Sequence, residues 1–117
     1  MSKADGLNVD SAGNKEWYSN GLLHRADGPA VEKVDGMQAW FVNGEPHRED
    51  GPAIIKADGS FAWYKHGMLH RVDGPAVNNA DGSSSWWFNG KPHHEDGPAI
   101  IKADGSTEWW NHGERYA

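Results

Sequence analysis

The stretch Trp40-Phe41-Val42-Asn43-Gly44-Glu45-Pro46-His47-Arg48-Glu49-Asp50-Gly51-Pro52-Ala53 carries two instructions for the backbone. The first is a reversal at Asn43-Gly44. A two-residue hairpin loop needs positive φ at both central residues, and Asn-Gly supplies it at low cost. Phe41 then faces Pro46, and Trp40 faces His47. The second is a corner at Asp50-Gly51-Pro52. Proline has no N–H to give to a ladder, and an aspartate ahead of Gly-Pro suits an Asx-type turn.

Outward from this stretch the same pattern returns. Trp17, Trp40, Trp63, Trp86 and Trp109 stand 23 residues apart. Each is followed by a second aromatic: Tyr18, Phe41, Tyr64, Trp87 and Trp110. Asp-Gly-Pro-Ala recurs at 27–30, 50–53, 73–76 and 96–99, and a second Asp-Gly at 35–36, 58–59, 81–82 and 104–105. A fixed period of this length marks a repeat array. The chain divides into an N-terminal cap (1–16), four full repeats (17–39, 40–62, 63–85, 86–108) and a truncated fifth (109–117). The copies starting at Trp40 and Trp86 agree at 17 of 23 positions, and those starting at Trp17 and Trp63 at 13. A 46-residue period therefore overlies the shorter one.

If the second Asp-Gly also makes a two-residue loop, Val34 faces Met37 and Val31 faces Trp40. Strands are expected near 30–34, 37–42 and 45–48. Paired residues share a face, and neighbours along a strand take opposite faces. One face would carry Val31, Trp40 and His47, the other Ala30, Phe41 and Pro46. The predicted fold is all-β: an elongated, twisted or curled antiparallel meander of tandem 23-residue β-hairpin repeats, with about ten strands and negligible helix.

Composition narrows the function. The 117 residues carry a net charge of -6, which disfavours general binding to nucleic acid. Cysteine is absent, so disulfides and thiolate metal sites are excluded. The start has no apolar run of a signal peptide, and no stretch approaches a membrane span. The expected location is cytoplasmic, with no membrane partner.

The run Tyr18-Ser19-Asn20-Gly21-Leu22-Leu23-His24 and its three copies resemble the MORN repeat, as a variant of it, over residues 17–117. Arg25, Arg48, Arg71 or His94 stands where that motif has glycine, and the later Asp-Gly comes two residues further on. The resemblance implies rows of β-hairpins in a twisted sheet and a non-catalytic interaction module. The Trp-Trp-x-Asn-Gly-x-x-His-Arg-x-Asp-Gly-Pro-Ala pattern is also similar to repeats of phage and giant-virus proteins. That likeness implies a viral accessory protein in the host-cell cytoplasm, acting as an inhibitor of a host defence protein. A weaker similarity is to choline- or glucan-binding repeats.

Three groups of side chains are candidates for chemistry. His24, His47, His70 and His93 recur once per repeat, so successive rungs lie about 10 Å apart. Zinc holds its ligands about 2 Å away, so one ladder cannot share a metal. The expected role is structural: each histidine bonding Asp27, Asp50, Asp73 or Asp96 of its own corner. Arg25, Arg48 and Arg71, with His94 in the fourth place, are candidates for a ligand-binding stripe. The competing expectation is an ion pair to a neighbouring repeat's aspartate, or stacking on a tryptophan. The second aromatics, Tyr18, Phe41, Tyr64, Trp87 and Trp110, are candidates for a partner surface. Catalysis is not expected, because every carboxylate and histidine has copies in equivalent surroundings, whereas an active site needs one asymmetric constellation. No cofactor is expected. Three readings follow: a protein-binding module, a nucleotide or glycan binder, or a self-assembling element such as a homodimer.

Overall fold

The computed structural model describes residues 5–117; the first four residues of the expected cap lie outside the described residues. Among the described residues there is no helix. Ten strands follow one another in chain order through one long antiparallel sheet, from Gly6–Val9 and Lys15–Ser19 at one end to Ile100–Ile101 and Thr107–Glu108 at the other. Four two-stranded hairpins run beside it, beginning with Phe41–Val42 against Glu45–Pro46. The body measures 49 × 25 × 24 Å. The all-β meander expected from the repeats is the observed architecture.

The tryptophans join the long sheet to the hairpins. The Trp40 N–H donates to the Ala53 carbonyl at 2.6 Å, and the Trp40 carbonyl accepts from the His47 N–H at 3.0 Å. The chain thus leaves the long sheet at Trp40, turns back through the hairpin and the corner, and rejoins the sheet after Ala53, with His47 and Ala53, the two ends of the corner, tied to one residue. Trp17, Trp63 and Trp86 repeat both bonds with their own corners. Neighbouring hairpins are tied together as well: the Gly44 N–H donates to the Leu23 carbonyl and the Arg25 N–H to the Phe41 carbonyl. Backbone groups on the hairpin edges are satisfied this way across repeat boundaries.

The Asn-Gly turns are as expected. Asn43 has φ 49° and Gly44 φ 82°, and Phe41 pairs with Pro46. The Asp-Gly loops are not. Only Gly36 has positive φ, the Lys33 N–H donates to the Met37 carbonyl, and Val31 pairs with Ala39. The loop has three residues, Val34 to Gly36, so Val34 does not face Met37 and Val31 does not face Trp40. The cause is local: the Asp35 carboxylate accepts from the Met37 N–H at 2.9 Å, an Asx turn that holds Asp35 out of the left-handed region. A one-residue slip moves a strand's side chains to the other face. Val31 therefore lies with Ala39, opposite to the face expected, and the pairing continues through Ile54, Ala62, Val77, Ser85, Ile100 and Glu108.

The core is thin. Ala30, Ala53, Ala76 and Ala99 are sealed at 0% exposure, and no large described side chain is fully buried. Stability must then come from ring stacking and a dense ladder of hydrogen bonds rather than from a deep apolar interior.

Candidate functional site

Each corner is built around its tryptophan. The Arg48 guanidinium lies 3.8 Å above the Trp40 ring; Arg25 over Trp17 and Arg71 over Trp63 stand at 3.9 and 4.1 Å. Arg48 Nε donates to Asp50 at 3.2 Å and Nη1 to the Pro52 carbonyl at 3.1 Å, and Arg25 and Arg71 do the same in their corners. The arginines pair with aspartates of their own corner, not of a neighbouring repeat, and the stacking is within the repeat. This explains the glycine of Asp-Gly-Pro. A Cβ on Gly51 or Gly74 would stand 2.7 Å from the guanidinium carbon. The position keeps glycine so that the cation can lie flat.

The fourth corner differs. His94 stacks on Trp86 with centroids 3.7 Å apart and planes 6° from parallel. Its Nδ1 meets the Pro98 carbonyl at 2.9 Å. A carbonyl only accepts, so Nδ1 carries the proton. The imidazole fills the arginine's place on the ring and reaches the same carbonyl, but no ion pair to Asp96 forms among the described residues.

The repeat histidines do not bond the corner aspartates, contrary to expectation. His24 Nδ1 accepts from the Asn43 N–H at 3.0 Å. His47, His70 and His93 accept from His66, Asn89 and His112 in turn, at 2.9 to 3.0 Å. Each donor is the left-handed residue of the next repeat's turn. The aspartates cannot compete because they are engaged on the arginine side, or stand exposed. Each imidazole is a latch between consecutive repeats and must keep Nδ1 unprotonated to hold. At the N-terminal end the Asp5 carboxylate accepts from the Asn20 N–H at 2.8 Å and takes the histidine's part. In the fifth copy Tyr116 stands at the histidine position and packs edge-on against Trp109. His70 is held below the ordinary 6.5, by burial first and then by the Lys65 charge.

Latches and corners line one face, and a recess opens between each pair of consecutive corners. The first, of about 580 Å³, is bounded by Trp40, Val42 and the corners of Arg25 and Arg48. The second, of about 600 Å³, adds Lys65; the third, of about 340 Å³, adds Phe88 and His112. Carboxylates form the rim: Asp27, Asp50 and Asp73 are 85 to 90% exposed. Among the described residues no group of three His, Asp or Glu is placed to hold a metal.

Of the second aromatics, Tyr64 lines the second recess with Arg48 and Arg71, and the others lie away from the three recesses. Trp87 Nε1 donates to Ser85 Oγ at 2.7 Å, Trp110 Nε1 to Glu108 at 3.0 Å, and the Tyr18 hydroxyl to Glu16 at 3.2 Å. Each ring leans back over the residue two places before it, on the Val31–Ala39 face of the sheet. Phe41, on the same register as these, pairs with Pro46, and Tyr64 borders a groove of about 190 Å³ with Ile54, Leu69 and Val77. Strand alternation thus turns Tyr18, Trp87 and Trp110 away from the arginine corners, whereas Tyr64 reaches both the groove and the second recess. Sequence reasoning missed Phe88 and the His66 and His112 turn residues. Two places after each tryptophan the chain reads Ser19, Val42, Lys65, Phe88 and Asn111, and the single aromatic there was the available signal. No family model matches the chain, and no curated protein matches it.

Proposed function

We propose that this protein is a non-catalytic binding scaffold that engages a partner protein along its corner face. The observation that carries the reading is the row of three recesses, one per repeat junction, each framed by a tryptophan shelf and a carboxylate rim. Repetition at a fixed step suits an extended partner segment, and an acidic rim favours one that carries positive charge. The likeness to repeats of phage and giant-virus proteins extends the proposal to an inhibitor of a host defence protein in the host cytoplasm. The engagement of the arginines favours this reading over a nucleotide binder. A phosphate clamp needs free guanidinium groups, and Arg25, Arg48 and Arg71 are each committed to a ring, a carboxylate and a carbonyl.

The test is a pull-down from a candidate host with three proteins: wild type, Glu49→Lys with Glu95→Lys, and Lys56→Glu. The two glutamates are 83 and 81% exposed, so the fold tolerates their reversal. Loss of a captured protein in the glutamate variant alone supports the corner face. Equal capture by all three refutes it.

Self-association has one observation of its own. The strands Gly6–Val9 and Thr107–Glu108 end the long sheet and have one unpaired edge each among the described residues. Because ten strands alternate in direction, a head-to-tail copy would continue the antiparallel order. A concentration-independent monomer mass by light scattering excludes it.

A further inference from the structure

We propose that the recess at the fourth corner binds an organic cation, an alkylammonium or guanidinium group. The three recesses differ in their balance of charge. In the first, Arg25 and Arg48 stand against Asp27, Glu49 and Asp50. In the second, Arg48, Lys65 and Arg71 outnumber Glu49 and Asp73, which repels a cation. In the third, Arg71 alone stands against Asp73, Glu95 and Asp96, and it is already bonded to Asp73 at 3.2 Å. By the formal charges of its arginine, lysine, aspartate and glutamate side chains, this recess is the most negative of the three.

Two substitutions within the repeat produce that state. His94 takes the arginine's place on Trp86, so Asp96 lacks the guanidinium that each of the other corner aspartates holds. Phe88 takes the place of Val42 and Lys65 and lines the recess with a ring 37% exposed. Other rings prop it: the His70 centroid lies 4.6 Å away, and those of His93 and His112 at 6.2 and 6.1 Å. Glu95 has only the His93 Nε2 beside it, at 3.7 Å, and an aromatic ring next to an excess of carboxylates is the chemistry that recognises ammonium and guanidinium groups. The recess volume of about 340 Å³ suits a side chain or a small amine. This inference concerns one recess and small ions. It stands or falls separately from the partner reading, because purified protein suffices to test it.

The experiment is titration of the purified chain with methylguanidinium, tetramethylammonium and butylammonium chlorides, followed by NMR, with sodium chloride as the reference. The expected result is saturable shifts confined to Phe88, His93, His94 and His112. Glu95→Gln with Asp96→Asn should weaken binding by about tenfold or more, the worth of one lost charge-assisted contact. His94→Arg should abolish it, because the restored guanidinium neutralises Asp96 from within. Capped lysine and arginine peptides that bind more tightly than butylammonium point to a partner's side chain as the source. Equal binding points to a free amine. Shifts that match those with sodium, spread evenly over all three recesses, or persist unchanged in the carboxamide variant overturn the proposal.

Discussion

Corners one to three and corner four make the same bend with different chemistry. In the first three, a guanidinium lies on the tryptophan and reaches both the corner aspartate and a proline carbonyl. In the fourth, an imidazole covers the ring and reaches the carbonyl, and Asp96 is left over. The fold therefore needs a flat, hydrogen-bonding group above each tryptophan, and it does not need the charge. Where the charge is absent, an aspartate with no internal duty remains, and that is where binding is proposed.

The largest expected effect is loss of the shelf itself. Trp40→Ala should destabilise by about 3 kcal/mol or more, measured by urea unfolding, because it removes the ring that the corner closes on. If Trp86→Ala costs as much, the imidazole shelf is equivalent to the guanidinium one; a clearly smaller loss would show that the cation matters. Arg48→Ala should cost about 2 kcal/mol from the lost ring contact and hydrogen bonds. Gly51→Ala should cost a similar amount by expelling the guanidinium, since the new Cβ would meet it at 2.7 Å. In the Arg48→Ala background the glycine change should cost little, and additive losses would refute the coupling. His94→Arg should raise stability by about 1 kcal/mol by completing the fourth corner. No gain, or a loss, would mean that the imidazole fits that corner better than an arginine does.

The smallest effect concerns the latches. His70 has its folded value below 6.5, so as pH falls beneath about 6.5 the unfolded chain takes up a proton that the native chain resists. Stability should be full above that pH, decline as pH drops toward the lowered native value, and level off below it. His70→Asn keeps an acceptor for the Asn89 N–H without a titrating ring. It should flatten part of that slope in thermal melts taken across the window. An unchanged slope would exclude this latch as the cause.

The two kinds of turn show how far the sequence alone is legible. Asn43-Gly44 and Asp35-Gly36 are similar dipeptides, and both were expected to make the same loop. Asn43 enters the left-handed region with its N–H held by His24 of the previous repeat. Asp35 instead accepts from its own Met37 and widens the loop by one residue. That residue moved Val31 to the other face and with it the expected composition of both surfaces. The histidine partners differ from expectation for a related reason: the corner aspartate is close in sequence, but the imidazole acceptor meets a donor 19 residues on.

The residue order alone determined the period, the all-β meander and the positions of the reversals, because glycine, proline and asparagine act on the backbone within a few bonds. It also determined which side chains recur once per repeat. Only the tertiary structure decided which of them meet. Stacking a guanidinium on a ring and handing a lone pair to the next turn both depend on register, and register is settled by contacts between repeats.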